Sequence, residues 1–364
     1  MSELKVDKVS PRTGNYVALN TVGSKNIVIN GDMSIAQRGT SATGVNTTGY
    51  YTIDRFKLTN SSAGTWTQSQ STDVPTGQGF ATSLKMDCTT ADASPSSGDV
   101  LILQQLIEGQ NLQYLKKGTS SAESTTLSFW VKSNKTGTYI CELRDVDNNR
   151  TISQSYTISS ANTWEKKTIT FAGDTTGAFD NDNAESLRCN FFLNAGSDYT
   201  SGTLQTSWSG RTNANRAVGQ VNLADSTANE WYITGVQLEA GTTASDFEFL
   251  PVDVNLDRCY RYYQKSYDYG TAVGTATFDG MIQISYGTAG TSQMGFPIKY
   301  PVTMRATPTF TVYDDAGNSG KLQRGASNKT ASTAYGTAKG ILVYTNDATS
   351  SVSMLFHYEA NAEL

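Results

Sequence analysis

Hydrophobic and polar residues alternate in short runs along most of this chain, the pattern of β-strands with one buried face. In LSFWVKS (residues 127–133), one face carries Leu127, Phe129 and Val131. The other face carries Ser128 and Trp130. Because side chains point to opposite faces with a period of two, this stretch predicts a strand with its aliphatic side toward a core.

Similar short runs recur between turn signals such as Asn30-Gly31 and Asn148-Asn149. They include NIVINGDMSIAQRG, read as two strands joined by a turn, and YYTIDRFKL. The further predicted strands of this part are ATSLKMDC, DVLILQQLI, GTYICELRD, TISQSYTI, TWEKKTITFAG, LRCNFFLNAG and NEWYITGVQLE. About ten short strands favour an antiparallel jelly-roll β-sandwich.

The strongest single signal lies in residues 222–249. A strand carrying Trp231, Ile233, Val236 and Leu238 is followed by a turn at Gly241, and we interpret it as the closing strand of the sandwich. A different spacing occurs in QQLIEGQNLQYLKK (residues 104–117), where leucines and an isoleucine recur at near-helical intervals. There we predict a short helix or an irregular crossover.

The pattern divides the chain into four parts. Residues 1–26 form a short extended segment in which Leu4, Val6 and Val9 alternate with charged residues. Residues 27–250 form the jelly roll, 251–269 a tyrosine-rich connector, and 270–364 a smaller C-terminal β-sandwich domain. The fold class is therefore all-β with two domains, and 364 residues suit that number.

Composition and charge narrow the function. Charged residues make up 17% of the chain and the net charge is -5, with no basic cluster beyond Lys116-Lys117. Nucleic-acid binding needs a positive surface, so this function is disfavoured. No apolar run approaches the roughly 20 residues of a membrane span, and the N-terminus has no apolar core typical of a secretory signal. We therefore expect neither nucleic acid nor membrane insertion.

Candidate catalytic and metal chemistry is sparse. His357 is the single histidine, no GxSxG elbow accompanies a serine, and we expect His357 to be a partly buried structural residue. Cys88, Cys141, Cys189 and Cys259 are widely spaced, unlike the paired ligands of zinc sites. We predict no catalytic residues and no required cofactor.

Several segments, in this order along the chain, resemble a family of phage proteins from marine and cyanobacterial podophages with a carbohydrate-binding-module-like jelly roll. They are INGDM with AQRG (residues 29–39), TIDRF (52–56), LSFWVKS (127–133), TWE (163–165), GDTTG (173–177), GQVN (219–222), CYRYY (259–263) and MRATP (304–308).

This resemblance implies a virion structural protein, most directly a homotrimeric tail fibre that attaches to a host cell-surface glycan. The segment with Leu4, Val6 and Val9 would then dock onto other virion proteins; a frayed terminus is the alternative. Virion assembly in the host cytoplasm favours free buried thiols over disulfides. A jelly roll of this type also implies one structural calcium, for which Asp32 and Glu239 are the natural pair.

Sugar sites stack an apolar sugar face on an aromatic ring and surround it with polar groups. Trp66, Tyr50, Tyr199 and Trp208 lie in polar, glycine- and serine-rich contexts and are the candidates for carbohydrate binding. For each of them a role in the core or at an interface is the alternative. Trp130, Trp164 and Trp231 lie within strands, where a core or interface role is favoured.

Two alternatives to a tail fibre remain. A head fibre or capsid decoration protein would use its aromatic surfaces for assembly on the virion. A glycan-depolymerising hydrolase needs only two carboxylates facing each other across a cleft, and spacing does not reveal such a pair. Candidates for it are Asp54, Glu108, Asp174, Asp180 and Glu239.

Overall fold

The computed structural model describes residues 24–290, 294–346 and 351–364. Leu4, Val6 and Val9 lie outside these ranges, so their role in docking stays a prediction. Within them the regular structure is mainly antiparallel β-sheet, as the alternating sequence predicts.

The strands of the first domain are bounded as follows in chain order: β1 Ser41–Val45, β2 Gly49–Tyr50, β3 Lys57–Ser61, β4 Thr65–Ser71, β5 Ser83–Thr90, β6 Val100–Glu108, β7 Thr125–Ser133, β8 Gly137–Asp145, β9 Arg150–Ile158, β10 Glu165–Phe171, β11 Glu185–Ala195, β12 Ser209–Gly210 and β13 Glu230–Ala240. Helical turns are short: 3₁₀ turns at Gly109–Asn111, Gln113–Leu115, Asn213–Asn215 and Leu223–Asp225, and the helix α1 at Ser197–Thr200.

These strands form two antiparallel sheets that pack face to face as a jelly-roll-type sandwich. The first sheet has the order β1-β4-β5-β13-β7-β10 and the second the order β12-β9-β8-β11-β6-β3-β2. One core joins their inner faces: the ring of Phe191 on the second sheet lies 5.2 Å from Phe129 and 6.5 Å from Trp231 on the first. The predicted alternation of residues 127–133 is therefore confirmed, with Phe129 fully buried.

The closing strand β13 shares one edge between two partners. Its first half pairs with β5 through residue 233. Beyond that point residues 26–31 take over the edge: the Ile27 N–H donates to the Leu238 carbonyl at 2.9 Å, and the Val236 N–H donates to Gly31 at 2.8 Å. A Cβ on Gly31 would lie 2.0 Å from the Val236 oxygen, so only glycine allows this approach.

One sequence prediction is wrong in this domain. Residues 27–31 are buried, but residues 27–35 form bends and a turn instead of a two-stranded hairpin, because Ile27 and Gly31 bond to β13 and the Met33 N–H bonds to the Asn30 carbonyl within the turn. Of the two alternatives predicted for residues 104–117, a short helix or an irregular crossover, the structure shows the second: β6 is followed by two 3₁₀ turns that lead toward β7. Pairing with β11 extends β6 as far as Glu108, and Gly109 then packs against the carbonyl of Asp180.

The remaining elements in chain order are α2 Val252–Tyr260, β14 Tyr263–Lys265, β15 Ile282–Gly290, β16 Met294–Lys299, β17 Thr309–Tyr313, β18 Lys321–Arg324, β19 Ser327–Thr330, β20 Ser332–Thr337, β21 Gly340–Thr345 and β22 Ser351–Asn361.

The C-terminal domain is built around β22. This strand pairs with β14, β15, β17 and β18 at different points along its length, and a separate sheet has the order β16-β21-β20. Leu322, Val343, Met354 and Phe356 are buried between these sheets. The stretch predicted as a connector supplies α2 and the edge strand β14.

The end of the chain folds back onto the first domain through buried ionic contacts. The Glu363 carboxylate forms ion pairs with the guanidinium groups of Arg55 and Arg38. Arg55 lies 3.4 Å from the ring centroid of Tyr262, and Arg38 lies 3.7 Å from that of Tyr263. We call these five residues the clasp.

The clasp stabilises the charges of Arg55 and Glu363 in a buried place, where unpaired charges would be costly. The side chain of Arg55 is 1% exposed and that of Glu363 is 5% exposed. Burial alone lowers the pKa of Arg55, but the Glu363 carboxylate, with smaller contributions from Tyr262, Tyr50 and Cys259, more than offsets this, so the pKa is raised above its ordinary value. Arg55 also donates to the Leu106 carbonyl at 2.6 Å, which links the clasp to β6.

Breaking the clasp should destabilise the first domain. We expect Arg55→Met and Glu363→Gln each to lower the free energy of unfolding by about 3 kcal/mol, because each leaves a buried partner unpaired. The double variant should lose less than the sum of the two. Urea unfolding followed by tryptophan fluorescence measures this in the first domain, since all five tryptophans lie in residues 66–231.

The exposed pair Lys116–Glu123, with side chains 53% and 40% exposed, supplies the control. Glu123→Gln should change the unfolding free energy by at most about 1 kcal/mol. If Glu363→Gln were as mild as Glu123→Gln, the clasp would not join the domains energetically.

Candidate functional site

The outward face of the first sheet carries aromatic and polar side chains in rows across its strands. Directly paired residues share a face, so Thr234 on β13, Trp130 on β7 and Lys166 on β10 form one row. Gln237 and Ser128 belong to the next row. Trp130 is half-buried, and its face is turned away from the core.

A bulge in β13 shapes the middle of this face. The register between β13 and β7 shifts between Thr234 and Gln237, and Gly235 there has φ of +62°. The ring of Phe80 packs on the bare backbone of Gly235, where an added Cβ would lie 2.6 Å from it. Glycine at this position thus gives Phe80 its place on the sheet.

The chain after β13 folds back over the same face. The Glu248 N–H donates to Gln237 Oε1 at 2.8 Å, and the Ser245 N–H donates to Glu239 Oε1 at 2.8 Å. This return brings Phe247 and Phe249 against Phe80, with ring centroids 4.9 to 5.1 Å apart.

These elements enclose an open cleft of about 310 Å³, which we call the outer groove. It is lined by Gln78, Phe80, Ser128, Trp130, Lys166, Gly235, Asp246, Phe247 and Phe249. Phe249 is 51% exposed, a large value for an aromatic side chain. The groove therefore offers exposed ring surface beside hydroxyl, amide, ammonium and carboxylate groups.

On the other side of the Thr234–Trp130 row, the row that contains Tyr232 and Lys132 is filled by contacts among its own side chains. Tyr232 lies opposite Lys132, whose ammonium is 4.3 Å from the Tyr232 ring and paired with Asp73. Trp164 donates to Asp73 at 2.9 Å and meets Tyr232 edge-on. Their polar groups are already bonded to one another, so this row supports the sheet more than it presents a free surface.

Trp66, predicted to bind carbohydrate, is fully buried in the core of the sandwich. Its indole N–H donates to the Ala63 carbonyl at 2.8 Å. This corrects the prediction, because a ring with no exposed face cannot stack on a sugar. Tyr50 is half-buried and packs beside the C-terminal residue, since its hydroxyl donates to the Leu364 carbonyl at 3.1 Å.

Tyr199 and Trp208 keep some exposure but pack in separate places. Tyr199 lies against the small apolar cluster that contains Phe192, with the Arg216 guanidinium 5.6 Å from its ring. The Trp208 indole donates to the Ala172 carbonyl at 2.7 Å, and its ring is 5.5 Å from the Lys117 ammonium. Neither lines the outer groove.

The aromatic residues of the outer groove differ from the carbohydrate-binding residues that the sequence predicts. Trp130 follows the alternation of its strand, which already places it opposite the core-facing Leu127 and Phe129. Phe247 and Phe249 gave no comparable signal, because only the return of the chain over β13 brings them to the sheet.

Asp32 and Glu239, predicted to hold calcium, are each engaged by protein donors. Asp32 Oδ1 accepts from Ser34 and Asn255 at 3.0 and 3.2 Å. Both oxygens of Glu239 accept from Ser245 at 2.8 Å, so this carboxylate anchors the returning chain. Within the described ranges no three His, Cys, Asp or Glu side chains group as a metal site. Calcium stays a prediction, which melting curves with and without a chelator would measure.

The carboxylates proposed for hydrolysis do not line either large cleft of the described chain. Asp54 is fully buried and accepts from the Gln37 N–H at 2.9 Å; burial raises its pKa. Glu108 and Asp174 are bound by Arg261 and Arg150 respectively.

The cysteine prediction is confirmed, since all four are free and buried. His357 is more buried than predicted, with no exposed surface. Its ring stacks on Tyr267 at 3.8 Å, and its two nitrogens lie 3.1 Å from the Ser266 hydroxyl and the Thr277 carbonyl. These contacts link β22 to residues 266–277.

Comparison with known proteins gives only distant likenesses. No family model matches the sequence, and no curated protein matches it. Among solved structures, the enzymatically active domain of tailspike protein 4 from bacteriophage CBA120 is 16% identical with a TM-score of 0.32, over 59% of this chain and 21% of that one. This chain thus spans about a fifth of the tailspike structure.

Two further structures match over nearly their whole length. A putative sugar binding protein from Bacteroides thetaiotaomicron is 11% identical (TM-score 0.31; 59% of this chain, 99% of that one). TmCBM61, solved with β-1,4-galactotriose, is 8% identical (TM-score 0.31; 60% and 99%). At these identities and scores no function is transferred. No helix among residues 24–290, 294–346 and 351–364 is long and apolar enough to span a membrane.

Burial of His357 should make the C-terminal domain sensitive to acid. Burial lowers the pKa of His357 below its usual 6.5, although the Thr277 carbonyl opposes this. The unfolded chain therefore binds the proton more readily, and stability present above pH 6.5 is lost as the pH falls toward the folded-state pKa. As the single histidine, His357 gives one imidazole NMR signal that reports this pKa.

Thermal melts followed by circular dichroism between pH 7.5 and 5.5 measure the effect on stability. In His357→Gln the decline over this interval should be smaller than in the wild type. An equal decline in both proteins would assign the acid sensitivity to other groups.

Proposed function

We propose that this protein is a glycan-binding structural protein of a bacteriophage virion, and that the outer groove is its saccharide site. The observation that carries the proposal is the pairing of exposed Phe249 and half-buried Trp130 with polar groups in one cleft. A sugar ring needs this combination, since its C–H face packs on an aromatic ring while its hydroxyls require hydrogen-bond partners.

The charges of the groove favour a neutral saccharide. Lys166 and Asp246 are both exposed and opposite in sign, so they supply a donor and an acceptor without a net charge. Gln78 and Ser128 add neutral hydrogen-bonding groups. Phe80 is fixed on Gly235, which gives the aromatic surface a stable position before any ligand binds.

The placement on a virion rests on the sequence resemblance. We propose a homotrimeric tail fibre, assembled in the host cytoplasm, that docks through the segment with Leu4, Val6 and Val9 and attaches to a cell-surface polysaccharide. Several copies of a weak groove on one particle would convert modest contacts into firm adsorption. A head fibre or decoration protein is the alternative.

Glycan binding should depend on the groove aromatics. In affinity electrophoresis through gels containing neutral polysaccharides, we expect Trp130→Ala and Phe249→Ala each to weaken retardation about tenfold, the effect of losing one stacked ring. Tyr335→Ala, which removes an aromatic side chain that is 85% exposed in the other domain, is the matched control.

Trp208→Ala separates this site from the one expected from sequence. It should leave retardation unchanged. Loss of retardation in Trp208→Ala together with full retardation in Trp130→Ala would move the site to the second sheet. Equal retardation of all four variants would show that the outer groove is not the saccharide site.

The virion role predicts where the chain is found. Antibody against residues 270–364 should label appendages at the phage tail in electron micrographs, at a few copies per particle. A sedimentation measurement on the purified chain should give three times the 39.2 kDa monomer mass. Label spread over the head would instead favour the decoration protein. A sedimentation mass equal to that of the monomer would contradict the proposed homotrimer.

A further inference from the structure

A second large cleft lies where α2 packs beside the end of β6. It has a volume of about 350 Å³, and we call it the junction cleft. Ile27, Ile29 and Ile107 contribute apolar lining, while Arg258 and Arg261 on or next to α2 contribute charge. It shares no lining residue with the outer groove.

Arg258 is the unusual residue of this cleft, because no carboxylate of residues 24–290, 294–346 and 351–364 pairs directly with its charge. Its guanidinium donates to two neutral oxygens, the Ser24 hydroxyl at 3.3 Å and the Asn26 carbonyl at 3.2 Å. Among the described residues no carboxylate lies within 4.0 Å of it.

The nearby Glu248 carboxylate does not fill this role. It accepts from the Lys25 and Asn26 N–H groups at 3.2 and 3.0 Å and from the Ser24 hydroxyl at 2.7 Å. Burial lowers the pKa of Arg258, and Glu248 offsets only part of this. A half-buried arginine with this environment gains from an incoming anion.

Arg261 shows what a satisfied arginine looks like in the same cleft. It forms a two-pronged pair with Glu108, at 2.8 and 2.6 Å, and the Tyr262 hydroxyl also donates to that carboxylate. The pair fixes one wall. At the rim, Tyr114 is 49% exposed and Asn111 presents an exposed amide.

We propose that the junction cleft binds a carboxylate carried by a small ring compound, of which a uronic acid is the test case. The carboxylate would meet the guanidinium of Arg258, the ring would lie against Tyr114, and Asn111 would bond a hydroxyl. Planar carboxylate and guanidinium groups match in geometry, which favours this anion over a point charge such as chloride. The cleft is large enough for such a ligand by the usual volume of small-molecule sites.

The site is independent of the proposed outer groove. The groove balances one lysine with one aspartate, whereas in the junction cleft no carboxylate of the described residues contacts Arg258. One chain would thus hold a neutral and an acidic saccharide unit at two places. Failure of either site leaves the other untouched.

The test is a titration of the full chain with glucuronate, followed by ¹H–¹⁵N NMR, with glucose as the neutral match. Glucuronate should give saturable shifts around α2, and glucose should bind at least tenfold more weakly. Arg258→Gln should weaken glucuronate about tenfold, the effect of one charged hydrogen bond. Arg188→Gln, which removes an arginine outside the cleft, should change nothing.

Two further variants protect the test against misfolding. Arg258→Lys keeps the charge but loses the two-pronged geometry, so it should weaken binding by less than Arg258→Gln. Tyr114→Ala should weaken both the acid and the neutral sugar. Equal affinity for glucuronate and glucose, or wild-type affinity in Arg258→Gln with a native melting curve, would overturn the proposal.

Discussion

The edge of β13 is the constraint on which most of this structure depends. Its first half bonds to β5, and its second half bonds to residues 26–31, so the bulge at Gly235 marks the change of partner. Backbone groups inside a sheet cannot be left unpaired, and the close approach of Gly31 satisfies those that β5 abandons. The two clefts follow from this single exchange. The bulge seats Phe80 in the outer groove, and residues 26–29 line the junction cleft.

Buried charge determines how the second domain is attached. Most interdomain contacts in proteins are modest and polar, and relative motion is expected unless the contact is strong. Here the last residues carry Glu363 into a pocket with Arg55, stacked on Tyr262. Such a pair adds little net stability over an apolar contact, but it is intolerant of a missing partner. The attachment is thus specific to this chain end more than it is strong. Arg258 differs from Arg55 in this respect, since among the described residues no carboxylate pairs with it directly.

The sequence predicts the strands well and the candidate site poorly, for one physical reason. A period of two reports which residues share a face, and it placed Phe129 inside and Trp130 outside. It does not report what covers a face. Trp66 has polar neighbours because alternate residues of β4 point to the other side, while its own side points into the core. The polar context was therefore evidence about the neighbours, not about the tryptophan.

Long-range returns of the chain account for the remaining errors. Residues 27–29 have the composition of a strand but bond to β13, some 210 positions later, without forming a regular ladder. Phe249 becomes a groove residue only because Glu248 is tied to both Gln237 and Asn26. One carboxylate thereby fixes the rim of the outer groove and also occupies the donors of residues 24–26. Glu248 accepts from the Lys25 and Asn26 N–H groups and from the Ser24 hydroxyl, and it reaches Arg258 only through that hydroxyl. The same carboxylate that anchors the rim of the outer groove thus lies next to the junction cleft, and within the described parts of the chain no carboxylate pairs directly with Arg258.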